Sequence, residues 1–319
     1  MDFYGFYTGT EFHAHEYLGA HVTDDGVVFR VFAPAASGIA VIGEFNEWNG
    51  DPMNKIYDGN FWECVIPTAK AGQMYKYRIY DQSGGCLDRC DPYGRRMELR
   101  PHSASIICGG GKQKFTDEKW LKTRDGGLDK PLNIYEIHAG SWRCKPDEED
   151  QKDVAEHWYN YRELADLLVP YLKENHYHYV EMMPLAEHPS DESWGYQISG
   201  FFSPTSRYGT PDDLKYLVNK CHNAGIGVIM DFVPVHFAVD DYALWNFDGT
   251  ALYEYPHGDV GKSEWGSCNF MHSRGEVRSF LHSRGFFSQT IPLPVKKQPS
   301  QEHLLLPHKR SYISGGNGH

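Results

Sequence analysis

The run Gly225-Ile226-Gly227-Val228-Ile229-Met230 is short and apolar, and it delivers the chain to Asp231 and then to His236. Polar groups at the carboxyl ends of parallel strands line active sites, so a carboxylate and an imidazole here suit binding and proton chemistry on a polar ligand. Asp231 has a plain structural use as well, as a strand-end acid satisfied by hydrogen bonds. Glu136 and Glu181 fall in strand-like text, and Asp240 and Asp241 in the loop beyond the run. Nothing pairs these four at a predictable distance, and they read as strand or surface acids. The histidine pairs His13/His15 and His176/His178 have H-x-H spacing without an apparent third ligand, so no metal site is expected.

Runs apolar on both faces mark strands of a parallel sheet covered by helices on both sides. Two further strands precede this one, at Asn133–His138 and Tyr179–Pro184. Between them, Tyr161, Leu164, Leu168, Tyr171 and Leu172 recur at helical spacing, and Asn160 with Glu163 forms a capping-box pattern. A second helix opens at Thr210-Pro211-Asp212-Asp213 and closes at Gly225, with Leu214, Leu217, Val218 and Cys221 as its apolar stripe. Glu276–His282 begins one more. Residues 131–283 therefore predict a right-handed α/β arrangement.

Residues 1–112 read differently. Strand-like runs at Val27–Pro34, Ile39–Gly43, Phe61–Pro67 and Tyr75–Tyr80, separated by Gly, Pro, Asn and Asp turns, predict a β-sandwich. Residues 113–130 read as a linker. The net charge of −12 argues against a nucleic-acid partner. Seven cysteines without a CxxC pair point to free thiols in a reducing compartment. With no signal-peptide pattern and no run of transmembrane length, a cytoplasmic protein is expected. The 8 Trp and 21 Tyr fill cores, but flat aromatic faces also match the C–H faces of sugars.

An ordered series of motifs then carries a resemblance. Tyr135-Glu136-Ile137-His138-Ala139-Gly140-Ser141-Trp142, Glu187-His188-Pro189 with Ser193-Trp194-Gly195-Tyr196-Gln197, and Pro204–Pro211 are followed by Asp231–Phe237 and Phe247–Glu254. Residues 133–283 resemble 1,4-α-glucan (glycogen) branching enzymes of the α-amylase superfamily. Residues 24–108, with the loop Gly43-Glu44-Phe45-Asn46-Glu47-Trp48-Asn49, look like the carbohydrate-binding sandwich that precedes the barrel in that family. A trehalose-releasing hydrolase of the same superfamily is the nearest competitor. Tyr196-Gln197, Thr205–Tyr208 and Pro234 favour the branching enzyme. The expected fold is thus multidomain β and α/β: a β-sandwich carbohydrate-binding module, then an incomplete (β/α)8 TIM barrel of about three βα units.

The resemblance implies glycogen biosynthesis by retaining transglycosylation: an α-1,4 glucan is cut and transferred to a glucose 6-hydroxyl. Such chemistry needs a nucleophilic carboxylate and an acid/base carboxyl roughly 5 Å apart and no cofactor. In the family these carboxylates follow later barrel strands than the three identified here, so no catalytic residue is assigned. By the resemblance, His236 hydrogen-bonds the sugar at the cleavage point, Asp231 braces the network and Tyr196 stacks under the ring. Trp48 is a candidate glycan platform in the sandwich, and Trp62 reads as core.

After Ser283 the text changes. Residues 284–319 carry five Lys or Arg, four Pro and one acid, Glu302, without periodicity. The expectation is a non-homologous, disordered tail, from a shifted reading frame or truncated gene model. The whole then reads as a branching-enzyme relative inactive alone, its α-glucan partner being glycogen or amylose. A non-catalytic glucan-binding protein and a functionless fragment are the alternatives.

Overall fold

The computed structural model describes residues 1–124, 131–146 and 157–290. In chain order the first part comprises helix α1 (Phe3–Thr8) and strands β1 (Gly19–Thr23), β2 (Gly26–Phe32), β3 (Gly38–Gly43) and β4 (Asp51–Pro52). It continues with β5 (Asn54–Ile56), β6 (Phe61–Ile66), β7 (Met74–Tyr80), β8 (Cys86–Arg89) and β9 (Ser105–Ile106). They form two antiparallel sheets, ordered β1-β2-β6-β5 and β4-β3-β7-β8, with β9 also on β7. Alternation sets the faces: in β7, Tyr75, Tyr77 and Ile79 are buried while Lys76 and Arg78 between them are less so. Phe29, Val31, Val41 and Phe61 complete the filling between the sheets. Trp62 is core, as read, and its Nε1 donates to the Ala33 carbonyl at 3.0 Å.

The second part holds α2 (Glu118–Thr123), β10 (Ile134–Ile137), α3 (Tyr161–Glu174) and β11 (Tyr179–Met182). The hairpin β12 (Ala186–Glu187) and β13 (Gly200–Pro204) follows, then α4 (Pro211–Asn223) and β14 (Gly227–Met230). The expected capping box at Asn160 and the expected N-cap at Thr210 both form: the Asn160 side chain accepts from the Arg162 and Glu163 N–H groups, and the Thr210 hydroxyl accepts from the Asp213 N–H. Gly225, at φ 80°, takes the left-handed turn after α4 that its lack of a Cβ permits.

Strands β10, β11 and β14 form a three-stranded parallel sheet in that order. Here one expectation is corrected. Apolar runs predict helices on both faces, but among the described residues α3 and α4 cover one face only. Tyr135, Ile137, Val180, Met182, Val228 and Met230 pack into that core. By the strand period Ile134, Glu136, Glu181 and Ile229 belong to the other face, where Ile134 and Glu136 are exposed. In a barrel that face is the interior, filled by strand side chains rather than helices. No closed barrel is formed among the described residues, consistent with an incomplete TIM barrel.

The two parts share a core. Strand β15 (His236–Phe237) pairs with β16 (Cys268–Asn269), and helix α5 (Gly275–Thr290) follows. Phe6 and Tyr93 from the first part pack in one cluster with Phe202, Phe270 and Phe280 from the second. Buried Arg89 reaches across the junction and donates to the Phe247 carbonyl at 3.2 Å and the Asn246 carbonyl at 2.7 Å. Part of the presumed linker is docked too: Asp117 holds His222 of α4 at 2.6 Å, while residues 125–130 lie outside the described residues. Helix α5 runs through position 283, where the sequence changes character. The expected disordered tail at 284–319 is corrected in its first residues, since 284–290 continue helix α5, and the rest of it, 291–319, lies outside the described residues.

Sequence periodicity did not reveal α1, which packs on α5. The Ser279 hydroxyl donates to the Phe6 carbonyl at 3.0 Å, and the His15 N–H donates to Ser283 Oγ at 2.9 Å. Gly275 lies so close to Tyr7 that a Cβ would overlap its carbonyl oxygen. Gly275→Ala is therefore expected to cost about 1–3 kcal/mol, as overpacking does. Its check is the urea midpoint together with faster amide exchange at Phe6; unchanged exchange would show that α1 does not need this close approach.

Candidate functional site

The site forms where the loops leave the carboxyl ends of the parallel sheet. Asp231 is the first residue after β14, and its N–H donates to the Met182 carbonyl at 3.0 Å, extending the ladder by one step. The hydroxyl of Tyr196, from the loop between β12 and β13, donates to Asp231 Oδ2 at 3.0 Å. Burial and the neighbouring Asp231 charge push the Tyr196 phenol pKa up, and the Glu136 and Glu181 charges add to it. The phenol therefore stays protonated and keeps its donor role.

His236 is buried on β15, and burial lowers its pKa, so at neutral pH the ring is an uncharged imidazole. Its Nδ1 has no hydrogen-bond partner among the described residues. A buried imidazole nitrogen without a partner costs free energy unless a ligand or water meets it. A carboxylate, a phenol and a neutral imidazole can hydrogen-bond an uncharged hydroxyl-rich ligand without any metal.

The loop carrying Tyr196 is fixed from beneath by a polar cluster that sequence reading missed. Arg207, 1% exposed at its side chain, donates through Nη1 to Glu187 Oε1 at 2.7 Å and through Nε to Asp191 Oδ1 at 2.7 Å. Nη1 also donates to the His188 carbonyl at 2.8 Å. Asp191 accepts a second guanidinium, that of Arg100 from the end of the sandwich region, with Nε to Oδ1 at 2.7 Å. The two arginines hold the Asp191 carboxyl below its usual range against the opposing effect of burial. Gly195, at φ 88°, sits where a Cβ would strike the Pro184 carbonyl, so this turn requires glycine. The signal in sequence was the 187–208 motif set itself, but a motif does not say that its arginine is buried.

The other candidates are elsewhere. Trp48 lies in the turn after β3, 37% exposed and at φ 63°. His13 pairs with Glu16, the His15 ring contacts Ser283, and His178 accepts from the Asn133 N–H. Among the described residues no group of three or more His, Cys, Asp or Glu could hold a metal. No helix among them is long and apolar enough to cross a membrane.

Fold and site together define a β-sandwich joined to a three-stranded parallel α/β unit with polar groups at its carboxyl end, and two family models match accordingly. Carbohydrate-binding module 48 (isoamylase N-terminal domain) matches residues 17–94, and the alpha amylase catalytic domain matches residues 166–247. Two solved structures show the same fold at low identity. A putative alpha amylase from Salmonella typhimurium has a TM-score of 0.70 at 21% identity, over 91% of this chain and 46% of that one. A pullulanase from Paenibacillus barengoltzii, in complex with maltohexaose and alpha-cyclodextrin, has a TM-score of 0.67 at 20% identity, over 86% and 47%.

Sequence relatives narrow the class. The 1,4-alpha-glucan branching enzyme GlgB of Fusobacterium nucleatum is 46% identical over 290 residues, covering 90% of this chain and 46% of that enzyme. Those of Nitrosomonas eutropha and Bacillus caldolyticus are 44% and 43% identical, each over 90% of this chain and over 39% and 43% of their own lengths. The chain is a homologue of the 1,4-alpha-glucan branching enzymes, and spans less than half the length of these three.

Proposed function

We propose that this chain binds α-1,4-glucan at the Tyr196–Asp231–His236 site and does not by itself form branches. The observation that carries the binding is the buried His236 imidazole with an unpartnered nitrogen, on the segment that follows Asp231 and its Tyr196 partner out of β14. In this reading His236 hydrogen-bonds the sugar, Asp231 braces the network around it and Tyr196 stacks beneath the ring, as the resemblance implies. Trp48 is proposed as a second contact, in the sandwich. The relatives' names supply the substrate class, and the cytoplasm is the proposed compartment.

The absence of branching rests on the carboxylates. A retaining transfer needs two carboxyl groups about 5 Å apart across the anomeric carbon. Asp231 is already engaged by Tyr196, and Glu136 and Glu181 lie side by side in register on the sheet. Neither arrangement provides a nucleophile facing an acid across a bound sugar. The test is incubation with amylose, following iodine colour and new α-1,6 linkages, beside a glycogen pull-down. Retention on glycogen with unchanged iodine colour is the expected result. New branches would overturn the catalytic half, and no retention would overturn the binding half.

A further inference from the structure

Two tryptophans beside the site stand in solvent, Trp194 at 57% and Trp265 at 73% exposure. Single exposed apolar residues are ordinary, but both of these are presented by backbone that is tied in place. Trp265 rides on a turn closed by Ser263, whose N–H donates to the Ser267 carbonyl at 2.9 Å. The Gly266 N–H donates to the Ser263 carbonyl at 3.1 Å, and the Trp265 N–H donates to Ser263 Oγ at 3.2 Å. From this turn the indole reaches the His236 ring, with centroids 6.1 Å apart.

Trp194 closes the turn Asp191–Ser193, its N–H donating to the Asp191 carbonyl at 3.1 Å. Its backbone is left-handed at φ 53°, a conformation a bulky residue rarely adopts. The same Asp191 is clamped by Arg100 and Arg207, so the strain is held by a rigid support. The Trp194 ring lies 6.4 Å from that of His138, just past β10, whereas Trp265 stands by His236, beyond β14. Strands β10 and β14 are the two edges of the sheet, with β11 between them. Two strand spacings separate those edges by about 10 Å, longer than one pyranose ring.

We propose that Trp194 and Trp265 are stacking platforms for glucose units outside the one held by Tyr196, Asp231 and His236. The flat apolar indole face meets the C–H face of a pyranose, and binding covers rings that the protein alone leaves in water. The site then selects an α-1,4-glucan several units long over a mono- or disaccharide. This deepens the α-glucan reading of the site and rests on it.

The experiment titrates maltoheptaose, with maltose for comparison, into the full chain by calorimetry. The variants are Trp194→Ala, Trp265→Ala, Trp265→Phe, His236→Gln, Asp231→Asn and Trp48→Ala, each first matched to the parent in urea midpoint. Each platform-to-Ala variant is expected to weaken maltoheptaose about tenfold, as removal of part of an aromatic contact area does. Trp265→Phe should retain most of the affinity, and maltose should be nearly unaffected by either change. If both platform variants bind like the parent while His236→Gln or Asp231→Asn weakens binding, the platforms are wrong and the glucan site stands. If only Trp48→Ala weakens it, or the parent does not bind, both readings fall.

Discussion

Arg207→Met is expected to cost about 3–5 kcal/mol of unfolding free energy, the usual result of removing one partner of a buried ion pair. Glu187 would be left 4% exposed at its side chain without the guanidinium it accepts from at 2.7 Å. Burial already pushes the Glu187 pKa up, against the pull of the Ser206 N–H and Arg207. Loss of Arg207 would leave it either charged and unpaired or protonated, and both weaken the fold. The check is a urea midpoint, with Glu187→Leu/Arg207→Met beside it: replacing both members by apolar residues should recover much of the loss. A single variant close to the parent would mean that the pair holds nothing together. In that case the rigidity assigned to the Trp194–Tyr196 turn would need another source.

Asp91→Asn should remove an unusual pH dependence. Asp91 is fully buried, accepting from the Tyr75 hydroxyl at 2.6 Å, the Tyr77 hydroxyl at 3.3 Å and the Tyr93 N–H at 2.8 Å. Burial pushes its pKa up to about 6, and these hydrogen bonds only partly offset that. The unfolded carboxyl titrates near 3.9. Between those values the folded state holds a proton that the unfolded state has released, so stability falls as pH rises from about 4 to about 6. This is opposite to the behaviour of a salt-bridged carboxylate, whose support is lost as pH falls. A pKa displaced by about two units corresponds to an effect on the order of 3 kcal/mol. The asparagine is neutral throughout and can still accept from the Tyr93 N–H. The measurement is the difference in unfolding free energy between parent and variant across pH 4 to 7. It should shift in the variant's favour as pH rises, and a flat difference would refute the assignment.

Local signals were legible. The caps at Asn160 and Thr210, the three parallel strands and the main sandwich strands depend on residues close in sequence, and they form where spacing placed them. The resemblance named Tyr196 and Asp231 as site residues, but the hydrogen bond between them is seen only in the structure. What could not be read was long-range. Arg207 and Arg89 look like surface cations in one dimension, yet both are buried, one by carboxylates and the other by loop carbonyls. The strand period gives two faces but does not say what covers each, so the uncovered inner face was misjudged. The turn that lifts Trp265 beside His236 depends on Ser263 and Ser267, residues with no periodic signature.

The clasp between α1 and α5 sets an order of events during synthesis. Phe6 and the Gly5 and Phe6 carbonyls need Ser279 and Phe280, which leave the ribosome last among their partners. At about 5–20 residues per second, some 270 residues separate the two by tens of seconds. Throughout that interval the opening helix has no completed seat, so Phe6 and its aromatic neighbours remain available to other nascent chains. The sandwich strands can pair early, but the seat of α1 is complete only when α5 arrives.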